Sequence, residues 1–171
     1  MADKVSADEA EEPPVVQEWP AIQEPLVRPV ALWVDGIEVV QAPVVEVGVQ
    51  PNGEMEIPRG SEVGWYKFGP SPGLEGSAVL AAHVAFDGED GVFRHLDDVS
   101  PGSRIVVGYE DGSTADFEIV DLQQYGKADL PFERIFAKQG DSVLTLITCG
   151  GAFDSSSRSF ADNVVAYAVP I

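Results

Sequence analysis

The chain carries a single cysteine, Cys149, so no disulfide can form within it and it is not a disulfide-stapled secreted scaffold. That scarcity does not assign a compartment, because a domain with an adequate core works outside the cell with a free thiol. No stretch approaches the roughly 18 apolar residues of a membrane span, and Met1-Ala2-Asp3-Lys4 lacks the apolar core of a signal peptide. By this reading a surface role implies an N-terminal anchor absent from this chain, or export by some other route. Basic residues are scarce too: ten Lys+Arg stand against 29 Asp+Glu, for a net charge of −19. Such a surface repels phosphate, which argues against non-specific nucleic-acid binding and against docking on anionic membranes. With two histidines and one cysteine there are no close Cys/His pairs for structural zinc. HExxH, P-loop and GxGxxG patterns are absent as well, so neither a metal nor a cofactor is expected. Asp87-Gly88-Glu89-Asp90 lacks the EF-hand ligand register and reads as a solvated turn rather than a calcium loop.

What remains is an ordinary globular composition, 44% hydrophobic and 23% charged over 171 residues, enough for one domain and a tail. Residues 1–29 are rich in Glu, Ala and Val and carry Pro13, Pro14, Pro20, Pro25 and Pro29, which block regular helix and central strand. They read as a tail or extended linker, with the domain running over 30–171. The run Val30 to Val34 is expected to pack on that domain.

Beyond residue 42, short apolar runs alternate with turn signals. Val44 to Val49, Ser77 to Val84, Ser142 to Thr148 and Asn163 to Val169 read as strands. Arg104 to Tyr109 and Thr114 to Leu122, joined by Glu110-Asp111-Gly112-Ser113, read as a hairpin. Its second strand sets Ala115, Phe117 and Ile119 on one face and Asp116 and Glu118 on the other. Helical signals are short: a turn or two over Asp90 to Asp97, and Pro131 to Ala137 with Phe132, Ile135 and Phe136 at helical spacing. A mainly β domain, closed as a barrel or packed as a sandwich, is the fold this pattern predicts.

Reactive residues are few enough to weigh one by one. Cys149 follows an apolar strand and is succeeded at once by Gly150-Gly151, where the chain is expected to leave the sheet and a substrate backbone can approach. The competing reading is an inert buried thiol acting as a small hydrophobe. A useful thiol needs a base or cation nearby. His83, at the end of the run Ser77 to Ala82, is the candidate base; its competitor is a histidine merely satisfied at a strand end. His95, in Phe93-Arg94-His95-Leu96, reads as exposed. Arg158, in a Ser-rich loop before the last strand, is either a surface charge or the cation opposite the thiol. Both histidines precede the cysteine, which excludes the papain-like and NlpC/P60-like orders, and the caspase and L,D-transpeptidase surroundings of Cys are missing.

Thr145-Leu146-Ile147-Thr148-Cys149 resembles the TLxTC signature of sortases, the cysteine transpeptidases of Gram-positive cell surfaces. Ala82-His83-Val84 resembles the segment around the sortase histidine. Phe93-Arg94-His95-Leu96 with Pro101-Gly102-Ser103-Arg104-Ile105 resembles the family stretch F-x-x-L followed by P-G-D-x-I, with Ser103 where Asp is frequent. Arg158-Ser159-Phe160-Ala161-Asp162-Asn163 resembles the arginine strand, most closely that of actinobacterial class F and next that of class E. The resemblance runs from about Ala42 to Ile171, and the first 40 residues match nothing.

The resemblance implies an eight-stranded β-barrel with a few short helices. It implies Cys149 as nucleophile, His83 as acid/base and Arg158 as substrate and oxyanion stabiliser, with Ala82 and Thr148 lining the peptide groove. The implied reaction cleaves a Leu-Pro-x-Thr-Gly-like sorting motif between Thr and Gly and passes the acyl group to an amine of a cell-wall precursor or pilin. The implied partners are surface proteins bearing that motif, at the outer face of the membrane or in the cell wall. Two rival readings stand beside it: a cysteine peptidase of the same fold that only hydrolyses, and a non-catalytic surface-binding β-domain with an inert Cys149.

Overall fold

The computed structural model describes residues 27–154 and 159–171, and at 149–154 and 159–161 it describes the backbone alone. Strands β1 (Pro29–Val34), β2 (Val39–Val47), β3 (Val63–Tyr66) and β4 (Ser77–Ala81) come first. A small hairpin of β5 (Ala85–Phe86) and β6 (Glu89–Asp90) follows, then β7 (Arg104–Tyr109), β8 (Thr114–Gly126), β9 (Val143–Asp154) and β10 (Ser159–Pro170). Eight of them close a barrel in the order β9-β10-β8-β7-β1-β2-β3-β4, and β4 returns to pair with β9. The β2–β3 and β4–β9 contacts are parallel and the other barrel contacts antiparallel. Closure leaves the barrel no free edge to pair with another chain.

Alternation along each strand sorts the side chains. Leu32, Val63, Trp65, Leu80, Ile105, Phe117 and Leu146 belong to one buried cluster that fills the barrel. Outside it, Val79, Val165 and Tyr167 form a second buried cluster with Ile135 of the single-turn helix α1 (Phe132–Ile135). This is why β4 is buried at all five positions: one face meets the barrel core and the other lies under α1.

The hairpin β7–β8 falls where the alternation puts it, with Phe117 and Ile119 fully buried between the partly covered Asp116 and Glu118. The run Val30 to Val34 does more than pack on the domain. As β1 it is a stave of the barrel, hydrogen-bonded to β2 and β7, with Leu32 wholly buried. The barrel therefore includes residues on the N-terminal side of Ala42, within the first 40 that the sequence resemblance leaves out. Its prolines are tolerated because Pro29 opens the strand and Pro43 lies near a bulge at Gln41, whose φ is +52°. The tail expected over 1–29 falls almost wholly outside the described residues. From Val27 on the chain is held, since Ser71 donates its hydroxyl to the Val27 carbonyl and Glu110 N–H donates to the Arg28 carbonyl.

Asp87 and Gly88 occupy the turn of the β5–β6 hairpin with φ of +53° and +77°, which suits an Asp-Gly pair between two short strands. The turn or two of helix expected over Asp90 to Asp97 is reduced to a 3-10 turn at Leu96–Asp98. Asp90 is committed to β6, and the chain must then fold back onto His83. Gly91 N–H bonds the Val84 carbonyl and Phe93 N–H bonds the His83 carbonyl. A Cβ on Gly91 would lie 2.0 Å from the His83 oxygen, so only glycine fits.

Candidate active site

The parallel seam between β4 and β9 organises the site. Its register runs from Ser77 opposite Val143 to Ala81 opposite Ile147. Two residues further on come His83 in one chain segment and Cys149 in the other. Beyond the last pair the segments stay tied: Ala82 N–H donates to the Ile147 carbonyl at 3.3 Å, and the Thr148 hydroxyl donates to the Ala82 carbonyl at 2.5 Å. On the other side of β9, Cys149 is opposite Asn163 of β10, and Asn163 Nδ2 reaches the Thr148 carbonyl at 3.4 Å.

A groove of about 500 Å³ opens at this end of the seam. Ala81, where β4 ends, and Ile147, Thr148 and Asn163 form the part nearest the seam. Strand β9 runs on past Cys149 to Asp154, so the chain does not leave the sheet at Gly150-Gly151 as the glycines suggested. One wall is the loop around Glu54, Met55 and Ile57; the other is Leu130, Phe132, Ile135 and Phe136, with Tyr66 between them. The lining is mostly apolar, as a site for uncharged side chains requires, and Glu54 and Lys127 add one charge of each sign. Among the predicted residues, Thr148 lines the groove. Ala82 is fully buried, its carbonyl engaged by Thr148, and its neighbour Ala81 is the residue that meets the groove.

His83 is half-buried, with its ring 5.0 Å from that of Phe86 at a tilt of 37°. Burial pushes its pKa below the ordinary imidazole value, while a hydrogen bond to the backbone of Ile57 works in the opposite direction. Ile57 also lines the groove. His95 lies elsewhere, about half exposed at the start of the 3-10 turn and 3.4 Å from Asp98. The side chain of Cys149 and the whole of Arg158 lie outside the described residues. Among the described residues, no group of three or more His, Cys, Asp or Glu is placed to hold a metal, and no helix is long and apolar enough to cross a membrane.

Sequence reasoning did not single out the groove walls. Met55, Tyr66 and Leu130 are ordinary apolar residues of separate segments, and only the fold gathers them. Phe132 did leave a signal: it belongs to the helical spacing noted above, yet it remains 60% exposed on the groove rim.

A sortase domain profile matches residues 32–171. The chain belongs to the sortase family. Solved sortases share the architecture. Sortase C1 of Streptococcus suis superposes with a TM-score of 0.64 at 19% identity, covering 84% of this chain and 73% of its own. The pilus island 1 sortase C2 of Group B Streptococcus gives 0.63 at 17%, covering 82% and 72%. A Clostridium perfringens sortase D5 transpeptidase gives 0.62 at 18%, covering 82% and 77%. At such identities the likeness is one of fold. No curated protein matches the chain. Family membership makes this sortase domain one of a transpeptidase family that acts at the cell surface on proteins carrying sorting motifs.

Proposed function

We propose that this sortase is a cysteine transpeptidase that cleaves an LPxTG-like motif between Thr and Gly and joins the acyl group to a cell-wall or pilin amine. The observation that carries the reading is the β4–β9 seam, whose parallel register delivers the segments bearing His83 and Cys149 side by side at the head of an apolar groove.

The roles follow from the chemistry of the residue types. Cys149 gives its proton to His83 and attacks the threonine carbonyl as thiolate, forming the carbon–sulfur bond. Arg158 donates to the oxygen on which charge develops. The carbon–nitrogen bond to glycine then breaks and His83 returns the proton to the departing amine, leaving a thioester. An incoming amine adds to the thioester, losing a proton to His83, and the thiolate leaves and is reprotonated. The depressed basicity of His83 suits this traffic, because a neutral imidazole can take the thiol proton. Thr148 fixes the spacing of the two segments through Ala82.

The Arg158 to Asn163 segment supports assignment to class F, with class E next, and membership of the sortase family supports action at the outer face of the membrane or in the cell wall. The test is incubation with a panel of sorting-motif peptides, with and without an amine acceptor, read by mass. Amide product that requires the acceptor supports transpeptidation. Hydrolysed peptide alone, whatever the acceptor, indicates a peptidase of the same fold, and unchanged peptide across the panel refutes the reading.

A further inference from the structure

Arg134 is not a groove-lining residue, yet its surroundings tie it to the wall that is. That wall, Leu130 to Phe136, is built on α1, a single turn of four residues with no side-chain N-cap. So short a helix has little stability of its own and takes its position from what holds it. Ile135, fully buried against the outer cluster, supplies one anchor. Leu130 and Phe136 pack on the same cluster and Ser77 N–H donates to the Ala137 carbonyl, which holds the ends of the segment but leaves the exposed side of the turn to other contacts.

Arg134 supplies an anchor of different chemistry on that exposed side. Its guanidinium carbon lies 3.5 Å from the centroid of the Tyr167 ring, and one of its nitrogens lies 3.1 Å from a carboxylate oxygen of Asp121. Tyr167 is itself held, its hydroxyl 3.0 Å from that of Tyr125 on the neighbouring strand β8. The ion pair alone is exposed enough to contribute little. The stacked planar guanidinium is what gives the contact direction, and an ammonium cannot reproduce it.

We propose that Arg134 is a positioning residue that clamps α1 to β8 and β10, and so sets the Phe132–Phe136 wall against the apolar side chains of a bound peptide. The two rings lie 6.3 Å apart and nearly parallel, with Phe136 in turn edge-on to Tyr66 at 5.2 Å, so a pivot of α1 would move the whole wall. The peptide part of this inference rests on the function proposed above.

The experiment uses Arg134→Ala and Arg134→Lys, each also in a Cys149→Ala background where binding is read without turnover. Amide exchange at Phe132 to Phe136 is expected to accelerate about tenfold in the alanine variant, with the barrel strands unchanged. The Kd of a fluorescent LPxTG-like peptide is expected to weaken about fivefold or more, with the lysine variant intermediate. With Cys149 present, KM rises while kcat and alkylation of Cys149 by iodoacetamide stay within about twofold. Unchanged exchange at α1 overturns the clamp, as does a general loosening of the barrel. A peptide that binds the parent and both variants alike overturns the role in recognition. If no sorting peptide binds the parent, the function proposed above fails and the role in peptide recognition fails with it, while the exchange data still decide the clamp.

Discussion

Thr148 on β9 donates its hydroxyl to the carbonyl of Ala82, one residue before His83, and both partners are buried. Because β4 has already ended at Ala81, this bond and the one from Ala82 N–H to Ile147 are what keep the two segments in step at the site. Replacing the hydroxyl by a methyl leaves a buried carbonyl without its partner. Thr148→Val is therefore expected to cost about 1–3 kcal/mol in denaturant unfolding, and Thr148→Ser to keep most of it. Equal stability of the valine variant and the parent would show that the bond does not hold the seam.

The two histidines separate cleanly. His83→Ala is expected to lose turnover almost completely, because the β4–β9 seam places its segment beside the one that bears Cys149. His95→Ala is expected to behave as the parent, since among the described residues its one close charged contact is Asp98 on the exposed 3-10 turn. Steady-state rates with a sorting peptide decide it, and equal loss from both would reassign the base.

The half-buried imidazole of His83 should leave a signature on the acid limb of stability. The pKa of His83 is lower in the folded protein than in the unfolded chain, so the unfolded chain takes up the proton first as pH falls. The stability associated with neutral His83 is thus present above the ordinary imidazole value and lost as pH falls through the range below it. Unfolding free energies measured from about pH 7.5 down to about pH 5 should decline less steeply in His83→Gln than in the parent. Identical slopes would mean that the ring is solvated.

Much of this was legible in the chain. The β7–β8 hairpin reads directly because its alternation is regular and Gly112, at φ +88°, marks the turn. Cys149 and His83 stand out because each ends an apolar run. The prolines of residues 29 and 43 hid β1 and obscured the start of β2, and a strand read as packing material proved to be a stave. The parallel pairing of β4 with β9 leaves no local trace, since it joins segments some 66 positions apart. The groove walls share that difficulty: Met55 and Phe132 come to line one groove only once the barrel has closed.

Arg158 separates a charge from a shaped donor. If the guanidinium binds the substrate carbonyl through its planar fork, Arg158→Lys retains the charge but loses the geometry, and turnover falls on the order of 10²-fold. Alkylation of Cys149 should change much less, because it needs the thiolate and no oxyanion donor. Near-normal turnover refutes the fork, and a parallel collapse of both rates assigns Arg158 to ionising the thiol instead.

The central claim is acyl transfer through Cys149, and intact-protein mass spectrometry during turnover addresses it most directly. The parent, mixed with a sorting-motif peptide and quenched in acid, should gain the mass of the acyl fragment on Cys149, and an added amine should discharge it as an amide. Cys149→Ala, folded as shown by its melting curve, should show neither adduct nor product. Amide formation by the alanine variant, or turnover by the parent with the acyl group on another residue, would contradict the account.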